Sequence, residues 1–280
     1  MDWERRDVNW IYWRPRVGRN LFRRAFWAIV KRRHMAAAIE IRDLRVEYRD
    51  KGERVEALGG LNLSVEQGTV VGFLGPNGAG KTTALHVLLG FIQPSAGSAF
   101  LFGEDVGRSI ARRRIGYLPE HPQLYPFLTG RELLAMAGGL FGLRGPELRR
   151  RLDALLEQVG LDGASARRRI GAYSRGMMQR IGLAQALIND PDLVILDEPT
   201  GGLDPIGRLE MRGLIARLRE QGKTVFFSSH ELSEVELVCD RVAILARGRL
   251  VAEGRVDELV RAGERLEAYF LRVVQGAGSA

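Results

Sequence analysis

Residues Gly75-Pro-Asn-Gly-Ala-Gly80-Lys81-Thr82 set three glycines, a lysine and a hydroxyl in the spacing G-x-x-x-x-G-K-[ST]. Glycines at these positions let backbone N–H groups turn inward around phosphate oxygens, and a helix starting just afterwards adds the positive end of its dipole. Lys81 supplies a compact cation for β and γ phosphates, and the Thr82 hydroxyl can ligate Mg²⁺. The candidate nucleotide-phosphate set is therefore Gly75, Pro76, Asn77, Gly78, Ala79, Gly80, Lys81, Thr82 and Thr83. Lysine is scarce in this arginine-rich chain, occurring only at 31, 51, 81 and 223, yet one of the four stands here. Such a cradle also needs a metal carboxylate and a group that activates water. Leu193-Val-Ile-Leu-Asp197-Glu198-Pro199 offers both: Asp197 would hold Mg²⁺ through water and Glu198 would polarise the attacking water.

These residues need elements to place them. Thr69-Val-Val-Gly-Phe-Leu74 reads as a buried strand feeding the glycine-rich loop, and Thr83–Leu89 as the helix after it. Leu193–Leu196, Thr224–Phe227 and Val242–Leu245 are similar apolar runs, which together predict a mostly parallel sheet covered on both faces. Ile39–Tyr48 and Leu61–Val65, joined through a turn at Lys51-Gly52, predict a small antiparallel sheet. From about 125 to 190 the strand signals stop. Glu132–Ala137, Glu147–Val159 (with Gly160 as C-cap) and Met177–Ile188 read as helices, so the expected architecture is an α/β core with a helical insert.

Composition narrows the class. At 45% hydrophobic and 27% charged the chain is globular. The single cysteine, Cys239, excludes a disulfide framework and predicts a reducing compartment. No run of about 18 apolar residues marks a membrane span. The net charge of +8 is uneven: residues 1–34 hold ten basic and three acidic residues, a net of +7, which leaves 32 − 31 = +1 for the remainder. All four tryptophans, Trp3, Trp10, Trp13 and Trp27, lie in that same segment. The near-neutral body lacks the basic stripe that nucleic-acid binding calls for.

Taken together, the motifs over about residues 38–272 resemble the nucleotide-binding subunits of ABC transporters, and the expected fold is a P-loop NTPase core. Tyr173-Ser174-Arg175-Gly176-Met177-Met178-Gln179-Arg180 resembles the family signature, Gly202-Leu203-Asp204 its D-loop, and Ile115-Gly-Tyr-Leu-Pro-Glu120 its Q-loop. His230 stands where the family has its switch histidine, and Tyr48 where it has the aromatic that stacks on adenine. The resemblance implies ATP and Mg²⁺ as cofactors, with Glu198, His230 and Lys81 catalytic and Thr82 and Asp197 on the metal. Ser174 and Gly176 would meet the γ-phosphate bound by a second copy or a homologous ATPase subunit, and Asp204 would link the two sites. It also implies a separately encoded membrane permease, peripheral attachment at the cytoplasmic face of the cell membrane, and no nucleic-acid partner.

Two departures stand out: Arg175 and Met177 replace the usual Gly and Gln of the signature, and Glu120 replaces the usual Gln of the Q-loop. Glu120 can accept from water or reach Mg²⁺, but it brings a negative charge near the phosphates. The variants Y-S-x-G-M and Y-L-P-E resemble those of ATPases serving export-type (ABC-2) permeases. Two other uses of such a core are a soluble ATPase of DNA repair or translation and a membrane-attached, nucleotide-switched adaptor. Against the first stand the lack of a second ATPase domain or coiled-coil insert and the neutral body; against the second stands Glu198. The expected divisions are an extension at 1–34, an ATPase domain at 35–272 and a tail at 273–280. Within the extension, 20–33 reads either as a basic amphipathic helix for a lipid interface or permease, or as sequence upstream of a start at Met35. The arginine runs 112–114, 149–151 and 167–169 read as solvated faces, and Met177-Met178 as helix packing.

Overall fold

The computed structural model describes residues 37–50, 53–161, 163–260 and 264–277. The expected extension at 1–34, including the helix at 20–33 and the start at Met35, lies outside the described residues.

Two sheets build the body. β1 (Ile39–Asp50) and β2 (Glu53–Val65) form the antiparallel hairpin predicted around residues 51–52, with β2 starting well before the expected Leu61. β4 (Ala96–Leu101) and β5 (Glu104–Asp105) extend it in the order β2-β1-β4-β5. The second sheet joins β3 (Val70–Leu74), β6 (Ile115–Leu118), β7 (Leu193–Asp197), β8 (Thr224–Ser229), β9 (Arg241–Ala246) and β10 (Arg249–Arg255) in the order β10-β9-β3-β8-β7-β6. Five of its strands, β9, β3, β8, β7 and β6, run parallel, and β10 is antiparallel on β9.

The continuous apolar runs are explained by the two faces of this sheet. Val70, Leu74, Val194, Leu196, Val225, Phe227, Val242 and Ile244 point to one core, and Val71, Phe73, Leu193, Ile195, Phe226, Ala243 and Leu245 to the other. Alternate side chains thus bury on opposite sides, and no polar position is needed between them. The second core is closed by the antiparallel sheet through Ile39, Leu44 and Leu61, and by Leu85 and Leu88 of α1 (Lys81–Leu88). α1 begins at Lys81, two residues before the predicted Thr83, because Gly80 at φ +104° ends the loop and turns the chain directly into the helix.

The first core is closed largely by the helical insert. It comprises α2 (Gly130–Leu140), α3 (Gly145–Gln158), α4 (Gly163–Arg167) and α5 (Arg175–Ala186), and among the described residues no strand of either sheet falls between 119 and 192. α2 starts two residues before the expected Glu132 because Thr129 and Glu132 form a reciprocal cap: the Thr129 N–H donates to Glu132 Oε2 at 2.8 Å, and the Glu132 N–H to Thr129 Oγ1 at 3.2 Å. Gly160 takes a left-handed φ of +64° just past the end of α3, as expected of a C-cap. Met177 and Met178 pack against this core. The chain continues through α6 (Pro205–Glu220), α7 (Leu232–Val238) and α8 (Val256–Leu259) to α9 (Leu266–Gly276), which runs past the expected boundary at 272 and holds Gly276 as its last residue.

Seven of the nine arginines in the three runs are exposed, as expected, while Arg112 and Arg151 are half-buried, and several of the nine bond the protein. Arg151 donates to the Leu187 and Ile188 carbonyls at 2.5 and 3.2 Å, at the C-terminal end of α5. Arg112 bonds the Val106 carbonyl, Arg114 pairs with Asp192 and lies over the Phe102 ring, and Arg168 donates to the Ala172 carbonyl. Guanidinium groups here finish carbonyls that helix and strand ends leave without partners.

Candidate functional site

Three adjacent parallel strands, β3, β8 and β7, end on the same side of the sheet, and the predicted residues emerge from those ends. β3 delivers the loop 75–80, β8 delivers Ser228, Ser229 and His230, and β7 delivers Asp197 and Glu198. Ligands of open α/β sheets bind beyond such carboxyl ends.

The loop needs its glycines for different reasons. A Cβ at Gly75 would stand 2.5 Å from the Leu245 carbonyl, and one at Gly80 would stand 2.6 Å from the Ala57 carbonyl. Gly78, at φ +77°, would meet nothing within 4 Å and faces open space. The loop therefore rests tightly on the protein at both ends and presents bare backbone at its middle, a cradle suited to an anion.

Lys81 is 7% exposed and folds back over this loop. Its Nζ donates to the Gly75 carbonyl at 2.6 Å and to that of Pro76 at 3.4 Å, and lies 3.8 Å from Glu198 Oε1. Burial pulls the ammonium pKa below its ordinary value, opposed by the charges of Glu198, Asp197 and Glu120. Asp197 is buried at the end of β7, and burial raises its pKa; Ser228 Oγ–H, donating to Asp197 Oδ1 at 2.5 Å, opposes that rise, and the charges of Glu198 and Glu120 add to it. The same hydroxyl oxygen accepts from the Glu198 N–H at 3.0 Å. Glu198 itself sits at φ +48° and is 8% exposed. Its Oε2 lies 2.9 Å from His230 Nδ1 and accepts from the His230 N–H at 3.3 Å. With Glu198 ionised, Nδ1 carries a proton and Nε2 is free to accept or donate. Beside this group Tyr117 is pushed up to about 12 by burial and by Asp197.

The structure thus brings Lys81, Asp197, Glu198 and His230 together, with Thr82 exposed at the first turn of α1. Tyr48 reaches the same helix, its hydroxyl donating to Thr83 Oγ1 at 3.3 Å. Ser174, Gly176 and Asp204 make no hydrogen bond or ion pair to that cluster among the described residues. Ser174 and Asp204 cap helices instead: Ser174 Oγ accepts from the Met177 N–H at 3.3 Å, and Asp204 Oδ1 from the Gly207 N–H at 2.7 Å. Glu120 is exposed, and its carbonyl is held by Gln179 at 2.7 Å. Ser228 and Gln179 are the members that sequence reasoning left without a role. The signal for Ser228 was a hydroxyl pair at the end of a buried apolar strand; for Gln179 there was none beyond the motif.

A cation would find hard oxygen donors here, the Thr82 hydroxyl and the Asp197 carboxylate, which suits Mg²⁺. Among the described residues no cluster of three or more His, Cys, Asp or Glu side chains could cage a metal by itself.

Residues 58–201, just over half of the chain, match the sequence profile of the ABC transporter family. The chain belongs to that family. An ABC transporter ATP-binding protein of Nostoc sp. (strain PCC 7120) is 52% identical over 222 residues, covering 78% of this chain and 66% of its own length. One from Synechocystis sp. is 49% identical, and there the match spans 61% of the relative. The chain thus spans a little under two thirds of these relatives. The bacitracin transport ATP-binding protein of Bacillus licheniformis is 42% identical over 80% of this chain and 72% of its own. Among solved structures, an ATP-binding subunit of an ABC transporter superposes with a TM-score of 0.73 at 30% identity, covering 84% of this chain and 99% of that one. A dimeric ATP-binding cassette bound to ADP and Pi superposes at 0.71 with 27% identity, covering 78% and 98%. The family match runs from 58 to 201, so Tyr48, Asp204 and His230 lie outside it.

Proposed function

We propose that this chain is the ATP-binding and ATP-hydrolysing subunit of an export-type ABC transporter, working through a separately encoded membrane permease. The observation that carries the reading is the convergence of Lys81, Glu198 and His230 at one end of the sheet, with Glu198 3.8 Å from the ammonium and 2.9 Å from the imidazole.

In this reading the backbone of Gly75, Pro76, Asn77, Gly78, Ala79 and Gly80 and the start of α1 hold the phosphates of ATP. Lys81 leaves the Gly75 and Pro76 carbonyls for the phosphate oxygens. Tyr48 stacks on the base, and Thr83 fixes its ring. Thr82 and Asp197, with the Glu120 loop, would hold Mg²⁺, which would supply charge neutralisation at the phosphates. Glu198 accepts a proton from the attacking water; its carboxylate is oriented by two contacts to His230, and its backbone N–H is fixed by Ser228. His230 keeps Nε2 for the γ-phosphate or the water.

Ser174 and Gly176 open α5 with no acidic residue in its first turn, so hydroxyl and N–H groups there suit a phosphate held by a second copy or a homologous subunit. Asp204 would connect the two sites. No helix among the described residues is long and apolar enough to cross a membrane. Peripheral attachment through the permease at the cytoplasmic membrane face follows from the proposal. A relative described as a Nod factor export ATP-binding protein supports the export direction. The test is steady-state phosphate release by the purified chain with Mg²⁺ and ATP, together with copurification of the permease. A chain that neither hydrolyses ATP alone nor does so with its permease refutes the reading.

A further inference from the structure

The Glu120 segment and the helix that carries the signature are fastened to each other at two points. The first is Gln179 on α5, 1% exposed, whose Nε2–H donates to the Glu120 carbonyl at 2.7 Å. The second is Gly182, one turn further on, where a Cβ would stand 2.7 Å from Leu118 Cδ1 and 3.2 Å from Pro122 Cγ. The missing side chain lets α5 lie directly against the residues flanking Glu120. The Gln179 amide has one permitted orientation, since the Glu120 oxygen is an acceptor and only the NH₂ group can face it. That orientation leaves Gln179 Oε1 buried with no hydrogen-bond partner among the described residues. An unmet buried acceptor is unfavourable, and an unbranched apolar side chain of similar length would fill the same space without it. Packing therefore does not account for the amide; its donor does.

We infer that Gln179 is a positioning residue, fixing the main chain of Glu120 to the signature helix so that Glu120 cannot move relative to the phosphate site without carrying Ser174 and Gly176. The distance is short: Ser174 lies five residues, about 7.5 Å at 1.5 Å per residue, from Gln179 along the same helix. Arg180, the next residue, donates to the Val159 and Gly160 carbonyls, so α5 transmits motion as a body and is also held at the end of α3. The inference rests on the ATPase reading above for its meaning, but the tie itself can be tested without nucleotide.

Backbone ¹⁵N relaxation in the full chain reads the tie through the mobility of the Glu120, His121 and Gln123 amides, since Pro119 and Pro122 have none. Gln179→Met keeps the shape and removes the donor; order parameters at those three amides should fall from about 0.85 toward about 0.6 while α1 and α6 stay unchanged. Gln179→Leu, which also lacks a donor, gives a second reading in case the first variant fails to fold. In steady state Gln179→Met should lower kcat about tenfold and leave KM for ATP within about twofold, because the cradle itself is untouched. Order parameters unchanged from wild type in whichever variant folds overturn the inference. Wild-type protein without ATPase activity overturns the functional reading instead and leaves the relaxation result to decide the tie.

Discussion

Glu198→Gln separates water activation from nucleotide binding. The amide keeps an acceptor for the His230 N–H and occupies the same space, but it removes the carboxylate 3.8 Å from the Lys81 ammonium. At that distance the gross attraction is about 4 kcal/mol for an effective dielectric near 20. Both groups are almost fully buried, so desolvation offsets most of it. A remainder of about 1 kcal/mol holds Lys81 back from phosphate oxygens, so its removal should tighten ATP binding about fivefold. The loss of a base that accepts the water proton should lower kcat by about 10²–10⁴. Calorimetric or fluorescent titration with ATP gives the first quantity, and phosphate release under saturating ATP gives the second. Turnover within about tenfold of wild type would remove Glu198 from its assigned role, and binding weakened by the substitution would refute the account of Lys81 as held back by this carboxylate.

Asp197→Asn should raise the stability of the nucleotide-free protein at neutral pH. Burial lifts the folded pKa of Asp197 above its ordinary 3.8, so the stability linked to its protonated form is present below that value and lost as pH rises through the folded value. Asn does not titrate and still accepts from Ser228, so denaturant melts should show its advantage growing upward from about pH 4 and then levelling off. Gly78→Ala and Gly80→Ala should differ: the first meets open space and adds only the left-handed strain of about 1 kcal/mol, whereas the second also drives a methyl into the Ala57 carbonyl. Thermal melts and ATP titration should show a mild loss for the first and a severe loss for the second. Ser174→Ala should cost about 1 kcal/mol through the lost cap on the Met177 N–H. In a Glu198→Gln background it should also abolish ATP-dependent pairing of subunits, read by sedimentation.

The sheet was legible because each inner strand buries both faces, which leaves an apolar run with no polar interruption. β10 was missed for the opposite reason, since Arg249–Arg255 is an edge strand carrying charges and mostly accessible positions. β6 was missed because four residues after Arg112-Arg-Arg114 give too little periodicity to read. The glycine-rich loop and the Asp197-Glu198 pair were legible because their chemistry depends on neighbours in sequence. Ser228 and Gln179 act across 31 and 59 residues of chain, onto Asp197 and the Glu120 carbonyl respectively, and only folding brings those partners together. Charge placed the arginine runs in solvent, which holds for seven of the nine, while the half-buried Arg151 and Arg112 spend their donors on backbone carbonyls that only folding brings near.

Glu198 holds a left-handed backbone at φ +48°, a conformation that costs a residue with a Cβ about 1 kcal/mol or more and glycine almost nothing. Beside it Asp197 is buried at the expense of its charge. The site is therefore a place where the fold is worse off than a simpler sequence would make it. Under the proposed function, a copy of this gene released from the need to turn over ATP could gain thermal stability by drifting to Gly at 198 or Asn at 197. Inactive descendants of this chain should accordingly melt higher than the working form, and stability-guided engineering that ignores these two positions would erase the activity first.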